Sequence, residues 1–209
     1  MKVLLLNGSS REKGCTAFAL GEVAKALNQG GIETETVFIG NDPIRDCTAC
    51  GTCRRLGNTA CVFDDDMINP LIRKAEGCDG FVFGTPVYYS HPSGRILSVL
   101  NRLFFAGSAA FRRKPGAAIA SARRGGNVAA VDVLNKYFTI CEMPVVSSSY
   151  WNIVYGAAPE DVLQDKEGLQ TMRNLGRNMA WLLSCIEEGK RAGVRQPKNE
   201  YDARTNVIR

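Results

Sequence analysis

The feature that most restricts the fold is a change of period that recurs along the chain. Continuous apolar runs such as "VLLL" (residues 3–6) and "GFVFG" (residues 80–84) alternate with segments whose apolar residues return every three or four positions. The runs predict strands near 2–7, 33–39, 79–84, 116–121 and 143–148; the periodic segments predict helices near 16–29, 65–76, 94–105, 126–139 and 165–188. Strands separated by helices are joined by crossovers, so neighbouring strands run parallel. A strand that is apolar at every position is covered on both faces. The expected class is α/β, a doubly wound five-stranded parallel sheet with helices on both sides.

Composition supports one domain and excludes several functions. The chain has 209 residues, 45% of them hydrophobic, enough for a substantial core. No apolar run approaches the roughly 20 residues that span a bilayer, and the apolar stretch of "MKVLLLNGSS" is too short for a signal peptide. The expectation is a cytoplasmic chain, where the eight cysteines are reduced thiols or metal ligands rather than disulfides. A formal charge of +5, with a dense basic stretch only from Lys190 onward, argues against nucleic acid and suits an anionic small molecule.

The turn after the first strand, "NGSSREKGCT" (residues 7–16), has the makings of an anion site at a helix N-terminus. It is not a Walker loop: Gly8 to Gly14 is one residue too long, and Cys15 stands where lysine is required. It also lacks the second and third glycines of the dinucleotide fingerprint. What remains is a hydroxyl-rich loop in which Ser9, Ser10 and Thr16 offer O–H groups and Arg11 a charge, a set suited to a terminal phosphate. Read blandly, the same residues simply start and cap a helix. Two further loops follow strands, where open α/β sheets bind ligands: "GTPVYYSHPSG" (84–94), with Thr85, Pro86, Val87, Tyr88, Tyr89 and Ser90, and "SARRGGN" (121–127), with Ser121, Ala122, Arg123, Arg124, Gly125 and Gly126. Together these loops could surround a phosphate tail and a planar ring.

In this combination the chain resembles the NAD(P)H-dependent FMN reductases of the flavodoxin-like fold, over about residues 1–188. The resemblance rests on "NGSSREKGCT", "CTACGTC…CVFDDDM", "GTPVYYSHPSG" and "SYWNIVYG", in that order. It implies strand order 2-1-3-4-5, an FMN phosphate on Ser9, Arg11 and Thr16, and a flavin ring against residues 85–90 and 121–126. The chain departs from the family at Cys15, where relatives often carry asparagine, and at Tyr155, where histidine is common. The implied activity is FMN-dependent transfer of electrons from NAD(P)H to a small-molecule or protein acceptor. Because hydride passes between stacked rings, no residue need act as acid or base. Arg123 and Arg124 are the candidates for tuning the flavin, with Arg124 better placed beside the glycines. His91, the sole histidine, has no triad partner in the sequence. The resemblance also implies a homodimer or homotetramer.

The segment 40–64 is too long for an ordinary connection and carries Cys47, Cys50, Cys53 and Cys61 in the spacing C-x2-C-x2-C-x7-C. Thiolates so spaced can converge on one iron–sulfur cluster. The pattern is also similar to the compact motif of iron–sulfur flavoproteins, which share the fold and pass electrons between a [4Fe–4S] cluster and FMN. On that alternative the chain is an electron carrier with a ferredoxin-like partner. Zinc ligation, a structural metal clip on a non-catalytic flavin module, and a mere surface lid of free thiols remain open. Asp64 or Asp65 is expected to cap the helix that follows. The tail, residues 189–209, lacks apolar periodicity; it is expected to form no helix of its own and to fray or lie across a neighbouring subunit.

Overall fold

In the computed structural model, which describes residues 1–203, 205 and 207, strand β1 (Lys2–Asn7) lies inside a parallel sheet. It pairs with β2 (Glu33–Phe38) on one side and β3 (Gly80–Tyr88) on the other; β3 then pairs with β5 (Gly116–Ala122), and β5 with β6 (Ile153–Tyr155). The order is β2-β1-β3-β5-β6. A two-residue strand β4 (His91–Pro92) folds back antiparallel on the end of β3. Apart from that hairpin, the order is the expected 2-1-3-4-5.

Alternation within each strand builds two cores. Leu4, Leu6, Phe81, Phe83, Ala118 and Ala120 point to one face, where they meet α3 (Ile68–Glu76), α4 (Gly94–Phe111) and α5 (Asn127–Ile140). Val3, Leu5, Val82, Ala117 and Ile119 point to the other, against α1 (Cys15–Gln29), the short α6 (Pro159–Val162) and α7 (Lys166–Arg191). Each buried leucine or phenylalanine contributes about 1.5–3 kcal/mol, so covering both faces is what holds the sheet. Helices α1 and α7 approach closely because a side chain at Gly176 would lie 2.7 Å from the Ala26 Cβ and the Val23 carbonyl.

Two expectations of element extent are corrected. The fifth strand is not continuous over 143–148: Val145 makes a single parallel bridge to Gly116, and the paired strand comes later, at β6. Between them the backbone turns away, and Asn178 and Ser148 tie it to α7. Helix α7 runs to Arg191, three residues past its expected end, with Lys190 and Arg191 favourably placed in its last turn. The tail beyond it forms no helix of its own among the described residues; Asn199 and Tyr201 donate hydrogen bonds to Glu142, and Gln196 accepts one from Arg113.

Between β2 and α3 the chain forms a surface excursion containing one short helix, α2 (Thr52–Leu56). Its end is fixed by Asp66, whose carboxylate accepts the Ile68 N–H at 3.0 Å. Asp64 bonds instead to Asn69, and Asp65 pairs with Arg45. The acid that serves α3 is therefore the third of "DDD", not either of the first two.

Candidate functional site

The turn after β1 is held by its own side chains. Asn7, fully buried, accepts the Ser9 N–H at 3.1 Å and donates to the Glu12 carbonyl at 3.1 Å; the Ser9 hydroxyl accepts the Arg11 N–H at 3.0 Å. Gly8 donates to the Gly84 carbonyl at 2.8 Å, so backbone meets backbone where a Cβ would not fit. Gly14 stands at the N-cap of α1, so the helix has no side-chain cap. Its first-turn N–H groups are left to solvent or a ligand.

Above this turn lies a cleft of about 300 Å³ at the carboxyl ends of β1, β3, β5 and β6. Ser9, Ser10, Arg11, Gly14, Cys15 and Thr16 line one end, Pro86, Val87 and Tyr88 one side, and Ser121, Ala122, Arg123, Gly156 and Ala157 the rest. The hydroxyls of Thr16, in the first turn of α1, and Ser121, near the end of β5, bond to each other at 2.8 Å although they are distant in sequence. The Cys15 thiol is directed to the Gly156 carbonyl at 3.5 Å, and burial pushes its pKa up, which keeps it a neutral thiol. Arg11, Arg123 and the end of α1 make the cleft electropositive.

The structure does not gather every expected residue. Thr85 is fully buried, its hydroxyl donating to the Pro86 carbonyl and accepting the Ser93 N–H; it organises the loop from beneath. Tyr89 and Ser90 form the tip of the β3–β4 hairpin, both with positive φ, and Tyr89 is wholly exposed. Glycine normally takes such positions, so the tip carries backbone strain beside the cleft. His91 is exposed and pairs with Tyr88 in that hairpin. Arg124 and Gly125 are exposed outside the cleft, and Gly126 abuts Ser90. Arg123 is the arginine that lines it. Gly156 and Ala157 were not singled out from sequence as ligand contacts; Asp161 fixes them by accepting the Ala157 and Ala158 N–H groups at 2.9 Å.

A second constellation lies against α4. Cys47, Cys50, Cys53 and Cys61 line one narrow hollow of about 20 Å³, walled by Phe63, Phe105, Ala106 and Arg102. The neighbouring Thr52 polar groups hold the Cys50 thiol's pKa below its ordinary value. Cys61 is clamped: its N–H donates to Asn69 Oδ1 at 2.8 Å, and Asn69 Nδ2 donates to its carbonyl at 3.0 Å. Arg102 donates to its sulfur from Nε and Nη2 at 3.4 and 3.3 Å. Among the described residues no three Cys, His, Asp or Glu side chains stand close enough to hold a single ion. A single ion draws its ligands to within about 2.3 Å of one point, whereas a cluster spreads four thiolates over a cage. The donor set suits such a cluster, and the exposed loop must stand further out to admit one.

The strand order and the loops gathered at one sheet edge define a flavodoxin-like fold. Solved structures agree: an archaeal flavodoxin superposes with a TM-score of 0.60 at 12% identity, covering 88% of this chain and 99% of that one. RosB, solved with bound 8-demethyl-8-formylriboflavin-5'-phosphate, gives 0.65 at 16% identity, covering 99% and 92%. The family model for NADPH-dependent FMN reductase matches residues 1–158, and the chain belongs to that family. Curated relatives include an iron–sulfur flavoprotein of Methanocaldococcus jannaschii, 30% identical over 90% of this chain and 100% of the relative. A second, from Methanosarcina thermophila, is 29% identical over 91% and 99%. No helix among the described residues is long and apolar enough to cross a membrane.

Proposed function

We propose that this protein is an iron–sulfur flavoprotein: FMN occupies the electropositive cleft, a [4Fe–4S] cluster sits on Cys47, Cys50, Cys53 and Cys61, and electrons pass between them and an external acceptor. The observation that carries this reading is the convergence of all four cysteines on one hollow. The relatives named as iron–sulfur flavoproteins support it. When bound, FMN supplies one- and two-electron chemistry and the cluster one-electron steps.

The chain's own residues bind and tune. Ser9, Ser10, Arg11 and Thr16, with the first turn of α1, present donors to a phosphate dianion. Residues 86–88 and 121–123 flank the space for a ring. The Arg123 guanidinium favours the added negative charge of a reduced ring and so raises its potential. Tyr88, Tyr150, Trp151 and Tyr155 are exposed at this end of the sheet, a surface suited to a second copy in a homodimer or homotetramer. A ferredoxin-like protein or a nicotinamide is the donor on this reading.

Anaerobic purification followed by a visible spectrum, iron analysis and stopped-flow mixing with NAD(P)H tests the proposal. Flavin bands with a broad iron–sulfur shoulder, about four irons per chain and slow reduction by NAD(P)H are expected. Flavin bands alone with rapid reduction would make it an NAD(P)H-dependent FMN reductase and the cysteine loop a lid. Neither chromophore would leave a non-catalytic module with a structural clip.

A further inference from the structure

Arg102, on the middle of α4, is among the most deeply buried side chains of the protein at 1% exposure. All five of its N–H donors are used. Nε and one Nη2 hydrogen go to Cys61 Sγ, the other Nη2 hydrogen to the Phe63 carbonyl at 3.1 Å, and Nη1 to the Arg45 carbonyl at 3.2 Å and to the Asp66 carboxylate. Burying a guanidinium is costly unless its partners compensate. A neutral thiol is a weak acceptor, so two of those donors are poorly rewarded in a purely structural role; a metal-bound thiolate is a far better partner. Asn69, by contrast, grips the same cysteine through its backbone and carries no charge.

We propose that Arg102 is a positioning residue that sets the reduction potential of the cluster held by Cys61. The proposal rests on the cluster reading above. Cys47, Cys50, Cys53 and Cys61 would hold the cluster, and one-electron reduction of it by a one-electron donor would add negative charge at its sulfurs with no bond formed or broken. A buried cation with two N–H bonds to one ligand sulfur stabilises the reduced form more than the oxidised form and raises the potential. Asp66, paired with that cation, offsets part of the effect.

The test uses holoprotein purified anaerobically with its iron and FMN, titrated with dithionite and followed by electron paramagnetic resonance. Arg102→Gln is expected to lower the reduced-to-oxidised ratio at a fixed ambient potential at least tenfold, about 59 mV for one electron. Arg102→Lys should shift in the same direction by less, because it keeps the charge and loses the fork. Asp66→Asn should shift the opposite way. Asn69→Ala should reduce iron content and leave the potential of the remaining cluster where it was. Opposite shifts at residues 102 and 66 are not produced by loosening of the loop. Iron-replete Arg102→Gln at the wild-type potential overturns the proposal. If Arg102→Gln loses its iron, Asp66→Asn decides: a rise supports the proposal and an unshifted potential overturns it. Wild-type protein that holds no iron overturns the cluster reading itself, before any variant is made.

Discussion

Replacing Thr16 with valine removes one hydroxyl and little else, because the two side chains share their branching and nearly their volume. Thr16 is 1% exposed, and its hydroxyl lies 2.8 Å from the Ser121 hydroxyl at the α1 end of the cleft. Either oxygen can be the donor. If Ser121 donates to Thr16, the Thr16 hydrogen is free to point at a ligand, and a hydrogen bond to a charged group contributes about 1.5–3 kcal/mol. At 1.4 kcal/mol per decade, FMN affinity should fall roughly ten- to a hundredfold. The apoprotein should lose only about 1–2 kcal/mol, from a neutral hydrogen bond and a stranded Ser121 hydroxyl, which for a chain of this size lowers Tm by roughly 2–8 °C. Ser121→Ala separates the two effects, because it costs stability while leaving the Thr16 hydroxyl able to donate. Fluorescence titration of apoprotein with FMN, alongside thermal melts, measures both. Unchanged FMN affinity in Thr16→Val, or equal losses of affinity in the two variants, would refute the placement of the phosphate on Thr16.

Arg123→Ala should lower the flavin's reduction potential in spectroelectrochemistry while Arg124→Ala leaves it unshifted, since only Arg123 lines the cleft; the reverse pattern would mean that the loop rearranges around the ring. Gly8→Ala places a methyl 2.8 Å from the Gly84 carbonyl and the Ile96 side chain, so it should cost about 1–3 kcal/mol of stability and weaken FMN binding together, and a melt within 1 °C of wild type would show that the turn has room. Lys74 and Lys2 hold the Glu35 carboxylate below the usual carboxylate range. A lowered folded-state pKa contributes stability above the unfolded value and loses it as pH falls through the folded one. Glu35→Gln should therefore be less stable than wild type near pH 7, with the gap closing below about pH 4.3; a gap that persists in acid would contradict the ion-pair origin.

Local pattern determined the layers of this protein. The unbroken apolar runs at residues 3–6 and 80–84, short and bounded by turn residues, read as strands covered twice, and Leu4 and Leu5 do face opposite cores. The turn after β1 was legible as a turn for a similar reason: its residues act within a few positions of one another, as the bonds among Asn7, Ser9 and Arg11 show. Where partners are distant, the sequence was silent or ambiguous. Nothing local distinguishes Arg123 from Arg124, or shows that Thr85 spends its hydroxyl on Ser93 beneath the loop. The fifth strand failed to read because Val145 and Ile153 each satisfy β5 over a short stretch, with a polar excursion between them. The cysteine spacing suggested a metal, but an arginine 41 positions from Cys61 forms the charged wall beside its sulfur. By helical period residue 102 falls outside the apolar stripe of Ile96, Val99, Leu100 and Leu103; only the packing of α4 beneath the cysteine loop buries that guanidinium and brings it to the thiol.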